Sequence, residues 1–205
     1  MRRHVTRLLA VAALCLASLT GVSFATASPA SAADCGTTFS GFGGTMTQTY
    51  KSCWGSALVT PAYRVNGGAL HVFAGECLPV GHYGEVSWTH PTIIPNATYT
   101  TVFCEPFPID GLDRYYAYPS DCWTDFVPDS PQGRPMDHYY HNCAAATEIA
   151  PAYFYPGGSW YVGTYDSVTV GHLETIRWHY SSTKTNVNYT TVFAVRYPNL
   201  EPILN

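Results

Sequence analysis

Apolar positions along this chain alternate with polar ones over short runs, and they seldom recur at three- or four-residue intervals. Segments 45–50 (TMTQTY), 56–65 (SALVTPAYRV), 69–74 (ALHVFA), 83–89 (YGEVSWT) and 99–104 (YTTVFC) are rich in β-branched and aromatic residues, and clusters of Gly, Pro and Asn separate them. That pattern predicts short strands joined by turns. Side chains two apart share one face of a strand, so Leu70 with Val72, and Val86 with Trp88, mark the faces turned inward. Asn66-Gly67-Gly68 falls between two runs, where glycine supplies the positive φ of a tight hairpin. With helical periodicity nearly absent, an all-β fold is expected.

The pattern occurs twice. Residues 46–108 align without a gap to residues 136–198, and twenty of the sixty-three positions are identical. Among them are Tyr50/Tyr140, Cys53/Cys143, Pro61-Ala62-Tyr63/Pro151-Ala152-Tyr153, Val72/Val162, His82/His172, Trp88/Trp178 and the phrase Tyr99-Thr100-Thr101-Val102-Phe103, which returns from Tyr189 to Phe193. Leu70 and Val86 have Trp160 and Ile176 as counterparts, so both copies hide the same stripe. Three inserted residues upstream bring Asp34-Cys35 into line with Asp121-Cys122. The expected architecture is two tandem, small, antiparallel β-sandwich-like or open-barrel units, residues 34–107 and 121–205, joined by a linker at 108–120. The prolines and the Asp-Gly pair around that linker read as a connector that does not continue a sheet.

Residues 1–33 read as a secretory signal peptide: Arg2, Arg3 and Arg7 precede an apolar core at 8–19, and Ala30-Ser31-Ala32 is a small-x-small cleavage site. The expected location is therefore outside the cell, with no membrane span. Seven cysteines become six when Cys15 leaves with the signal, and three disulfides follow for an exported chain. The duplication selects the pairing. Cys35 and Cys53 have counterparts Cys122 and Cys143, so each pair staples the start of its own copy. Cys77 and Cys104 are matched by Ser167 and Ala194, a joint absence that leaves them bonded to each other.

Without the signal the chain carries seven Lys and Arg against fourteen Asp and Glu, a formal charge of −7, and the cations are scattered. Nucleic acid is excluded as a partner on that balance. Catalytic motifs are missing: the sequence holds no Gly-x-Ser-x-Gly, His-Glu-x-x-His or Cys-x-x-Cys. The repeated His82 and His172 read as histidines at strand starts that bond a neighbouring carbonyl. In Asp137-His138-Tyr139-Tyr140-His141 the strand period sets the two imidazoles on opposite faces, so no metal, cofactor or catalytic residue is expected. Asp110, Asp113, Tyr115, Tyr116 and Tyr118 form a tyrosine-rich acidic linker with the composition of a recognition surface, the candidate partner-binding element.

The doubled Asp-Cys-x-Thr-x-Phe start (Asp34 to Phe39, Asp121 to Phe126), the export signal and the paired Tyr-Thr-Thr-Val-Phe strands resemble the small adaptor subunit of umbrella toxin particles from filamentous actinobacteria. That resemblance implies a non-catalytic bridge between a large repeat-containing toxin polypeptide and a lectin-bearing subunit, at work in competition between bacteria. It assigns no residue a role. Two other readings compete with it. A carbohydrate-binding module would stack sugars on Trp54, Trp123 or Trp160, and a protease inhibitor would present the loop from Asp125 to Pro135 between Cys122 and Cys143.

Overall fold

The structure is a computed structural model that describes residues 35–42, 44–73, 75, 77–116, 122, 124–128, 135–163, 166–196 and 201–203. Residues 1–33, expected as a signal peptide, lie outside them. The described residues contain strands and no α-helix. The first copy supplies β1 (Gly36–Phe42), β2 (Thr45–Lys51), β3 (Ala57–Val65), β4 (Leu70–Phe73), β5 (Leu78–Val80), β6 (Glu85–His90) and β7 (Ala97–Cys104). After β8 (Ile109–Tyr116), the second copy supplies β9 (Thr124–Pro128), β10 (Met136–His141), β11 (Thr147–Phe154), β12 (Trp160–Val162), β13 (Val168–Val170), β14 (Glu174–Tyr180) and β15 (Asn188–Val195), and β16 (Glu201–Ile203) is the last strand among the described residues.

Three strands from each copy close a six-stranded barrel in the order β12-β7-β3-β4-β15-β11, with β11 pairing back to β12. Within a copy the barrel pairs are antiparallel. The two seams between copies, β4 with β15 and β12 with β7, are parallel. So narrow a barrel is filled mainly by small side chains. Its interior holds Ala62, Val72, Val102 and Cys104 from one copy and Ala152, Val162, Val192 and Ala194 from the other, which accounts for many of the repeated apolar residues.

The repeated prolines sit where the ladder has a gap. β3 pairs β5 through residues 57–59 and β4 through residues 62–64, and Pro61 lies at the change of neighbour. Pro151 occupies the same place between β13 and β12, where its carbonyl accepts the Gly163 N–H at 2.9 Å. A missing N–H costs nothing at such a break. The repeated asparagines have a backbone reason too: Asn96 and Asn186 both have φ of 59°, a left-handed conformation that asparagine tolerates better than most residues.

Two four-stranded sheets, β1-β2-β6-β16 and β9-β10-β14-β8, cover the barrel. They lie on opposite sides, because β3 and β11, the strands beneath them, stand three places apart in a ring of six. The first outer core gathers Val59, Tyr63, Phe73, Val80, Val86 and Trp88. The second gathers Phe107, Met136, Ile149, Tyr153, Val170, Ile176, Trp178 and Tyr180. The phrase shared by β7 and β15 thus feeds two cores at once. Val102 and Val192 point into the barrel, while Tyr99 with Phe103, and Tyr189 with Phe193, pack outward under the covering sheets.

The fold is all-β and disulfide-stapled, as the pattern implies, but the copies are interleaved. Residues 109–116, expected as connector, form β8 and pair with β14 of the second copy: Gly111 faces His179, Leu112 faces Trp178 and Asp113 faces Arg177. Ninety positions later β16 repeats the register on the first copy, with Glu201 facing Thr89, Pro202 facing Trp88 and Ile203 facing Ser87. Each copy therefore lends its last strand to the other. The prolines that argued against a strand, Pro106 and Pro108, precede Ile109 and leave the ladder intact. Phe107 anchors the crossing, buried against the Tyr153 and Tyr180 rings at centroid distances of 5.4 and 6.1 Å.

Three bridges brace the fold: Cys35–Cys53, Cys77–Cys104 and Cys122–Cys143. All three close within a copy. Where the second copy lacks the Cys77–Cys104 equivalent, Ser167 Oγ donates to Glu148 Oε1 at 3.0 Å and Arg196 Nε meets Glu148 Oε2 at 3.0 Å, a polar tie between the same strand ends. The first copy has Leu58 in place of Glu148, so replacing Cys77 by Ser and Cys104 by Ala leaves no substitute. With a separation of 27 residues, the double variant is expected to lose roughly 3.5 kcal/mol, read as a lower midpoint in urea unfolding. An unchanged midpoint would count against the bridge as a brace.

Candidate functional site

The sequence candidates scatter across the fold. His172 is exposed, and its Nδ1 lies 3.0 Å from the Ala144 carbonyl, the bond expected of it. His82 is exposed in the equivalent turn and touches the Tyr83 ring. His138 is wholly buried among the Phe126, Trp178 and Tyr180 rings, with Nε2 2.8 Å from Thr191 Oγ1 and Nδ1 3.3 Å from the Tyr180 hydroxyl. Burial holds its imidazole down at about 3. His141 points the other way and bonds Thr175, and no group of three or more potential metal ligands occurs among the described residues. Trp160 is half-buried under the Arg64 guanidinium, 4.6 Å from the ring centre, and stacks on Phe154. Tyr118, Trp123 and most of the proposed inhibitor loop lie outside the described residues; 125–128 belong to β9.

Because the linker is a strand, its acidic and aromatic residues divide between two faces. Asp113 and Tyr115 share the outer face of the second covering sheet, Tyr116 takes the other parity of β8, and Asp110 falls at a bulge between Ile109 and Gly111; Asp110 and Tyr116 are both exposed. The outer face is where charges converge. Across β8, β14 and β10, Arg177 reaches Asp137 at 2.6 Å and Asp113 at 3.6 Å. His179 lies between the same two carboxylates, Nε2 to Asp113 at 2.9 Å and Nδ1 to Asp137 at 2.8 Å. Tyr139 lies beneath the Arg177 guanidinium, 5.5 Å from ring centre to cation.

The electrostatics follow from that packing. Burial would push the Asp137 carboxyl up, but hydrogen bonds and charge from Arg177, with His179 behind them, hold it below the usual carboxylate range. The Arg177 guanidinium is raised, chiefly by its hydrogen bond to Asp137. Burial raises the Tyr115 and Tyr139 phenols, assisted by the nearby acids and opposed by Arg177. Carboxylates only accept, so both His179 contacts are complete hydrogen bonds when each ring nitrogen carries a proton. With both nitrogens engaged, the imidazole is positioned to organise a surface.

Arg177, His179 and Tyr139 escaped the sequence reading, although the duplication held the signal. The inward positions of the paired strands stay matched: Met46/Met136, Gln48/His138 and Tyr50/Tyr140 on one, Val86/Ile176, Trp88/Trp178 and His90/Tyr180 on the other. The alternate positions change character together. Thr47 and Thr49 become Asp137 and Tyr139, and Ser87 and Thr89 become Arg177 and His179. In the first copy the middle of this face is a set of small hydroxyls, with Thr49 and Ser87 bonded at 2.8 Å, and Lys51 faces Glu85 at its end.

The three disulfides fit an oxidising compartment, and among the described residues no helix is long and apolar enough to cross a membrane. No family model matches the chain, and comparison with curated proteins and with solved structures returned no match.

Proposed function

We propose that this is a secreted, non-catalytic adaptor that bridges other secreted proteins and receives one of them on the outer face of β8, β14 and β10. The observation that carries the reading is the divergence of two equivalent sheet faces on one duplicated scaffold. Architecture asks the same of both faces, yet one is hydroxyl-rich across its middle, with Lys51 and Glu85 facing each other at one end, while the other carries Asp113, Asp137, Arg177, His179, Tyr115 and Tyr139. Tyrosine and arginine are the residues that most often anchor protein interfaces. Two unlike faces on opposite sides of a rigid barrel suit a bridge between unlike partners. In the particle that the sequence resembles, those partners would be a large repeat-containing toxin polypeptide and a lectin-bearing subunit.

The test grafts the first face onto the second. Asp137→Thr, Arg177→Ser and His179→Thr place on β10 and β14 the residues that the first copy carries at the same sites, so the triple variant should fold. The tagged full chain, purified from the culture medium of its source and analysed by mass spectrometry, is expected to bring down secreted polypeptides. The triple variant should recover at least one of them about tenfold less well. Equal recovery of every partner, or a wild-type chain that brings down none, overturns the proposal.

A further inference from the structure

Trp54 stands 94% exposed on a turn that is held from several directions. Its neighbour Cys53 is bonded to Cys35. The Ser52 N–H donates to the Gly84 carbonyl at 3.0 Å, and the Ser52 hydroxyl donates to the Gly55 carbonyl. These bonds tie the Trp54 turn to the turn bearing His82 and Tyr83, itself closed by Gly84 N–H to Gly81 O at 2.8 Å. Tyr83 is 66% exposed, and its ring lies 3.9 Å from that of His82, centre to centre. Between the strand ends that carry the two turns, Ser56–Leu58 and Pro79–Gly81 line a shallow cavity of about 360 Å³.

An indole fixed in water forgoes the burial that normally stabilises a tryptophan, and a braced turn removes its freedom to fold away. The second copy shows that the scaffold does not require it: Ala144 stands opposite Trp54, and Leu173 opposite Tyr83. The cavity lining carries no charged side chain, so a charged ligand finds no counter-ion there. The two tied turns offer polar groups around the indole: Gly55 and Ser56 follow Trp54 in the chain, and His82 stands on the turn that Ser52 holds through Gly84. A flat electron-rich ring beside hydroxyl and imidazole groups suits a sugar. The C–H face of a pyranose carries partial positive charge and stacks on the negative face of the indole, and its hydroxyls find partners in Ser56 and His82.

We propose that the Trp54 turn and the His82–Tyr83 turn form a binding site for a neutral carbohydrate, separate from the protein-docking face. Of Trp54 and Trp160, the two tryptophans of a sugar-binding reading that lie among the described residues, the structure favours Trp54, since Trp160 is already stacked. The full chain is probed on an array of neutral oligosaccharides and by calorimetric titration with cellohexaose and chitohexaose. At least one neutral glycan should bind. Trp54→Ala should weaken binding by at least about tenfold without moving the melting temperature, because the side chain is exposed. His82→Ala should weaken it less, and the Asp137, Arg177 and His179 triple variant should bind sugar as the wild type does, which separates this site from the adaptor face. A chain that binds no glycan on the array, or a Trp54→Ala variant with wild-type affinity, sinks the proposal. Loss of a co-purifying polypeptide on Trp54→Ala, with no sugar bound, would give the surface to a protein partner.

Discussion

Lowering the pH from 6.5 to 4.5 is expected to reduce the free energy of unfolding by on the order of 4 kcal/mol, because two histidines sit in the outer cores where they cannot take up a proton. His90 is 1% exposed and is held at about 4 by burial; His138, fully buried, is held at about 3 by the same cause. Unfolded, both return to an ordinary value near 6.5. Between those limits the unfolded chain binds protons that the folded chain refuses, so stability is full above about pH 6.5 and falls as the solution is acidified. Each residue contributes a slope of about 1.4 kcal/mol per pH unit. Burial lowers His71 and His141 as well and adds in the same direction, whereas Asp166, whose carboxyl is raised by burial, works against it. The duplication supplies the control. Gln48 occupies in the first copy the place of His138 and donates to the Thr100 carbonyl at 2.7 Å and to Thr101 Oγ1 at 2.9 Å. In His138→Gln the amide can meet Thr191 and accept the Tyr180 hydroxyl, so the core keeps its polar contacts and loses its titrating group. Urea unfolding at pH 6.5, 5.5 and 4.5 should show the variant with about half the wild-type slope. Equal slopes would mean that His138 is protonated in the fold or is not buried.

The aligned copies made the strands, the inward stripes and the bridge pairing legible, because a position kept at both sites answers to packing, turn or staple. The barrel was not legible. Parallel seams such as β4 with β15 depend on which edges meet in space, and short apolar strands carry no mark of their neighbours. The crossing of β8 was hidden by its own composition: Pro106, Pro108 and Gly111 read as breakers, and only the register against Trp178 reveals the counterpart of β16. For the candidate site, reading only what the copies share concealed it. Asp113 was singled out from the acidic linker, but Arg177 and His179, its partners, became conspicuous once β14 was seen to alternate between a shared inner face and a divergent outer one.

The interleaving makes a second strong prediction: neither half folds as a monomer. A lone first half, 34–118, would expose the barrel interior around Ala62, Val72 and Val102 and leave the β4 and β7 edges without their parallel partners β15 and β12. Buried backbone groups that lose their ladder are costly, and bare strand edges invite association. Side-chain ties across the halves would also go, among them Glu105 with Lys184 at 2.7 Å, Glu105 with the Tyr153 hydroxyl at 2.7 Å, and the stack of Phe103 on Tyr161. The margin that holds an ordinary domain folded is only about 5–15 kcal/mol. A protease site inserted between Tyr118 and Pro119 tests this directly. After cleavage the two fragments should elute as one species in native buffer and separate in denaturant without reductant, since every bridge closes within a half. Expressed alone, the first half is expected to be unfolded, or to pair with a second copy of itself by using its own β8 and barrel edges as the missing partners. A folded, monomeric half with cooperative unfolding would show that the shared barrel does not hold the halves together, and it would remove the rigid frame on which two unlike faces were argued to serve two partners.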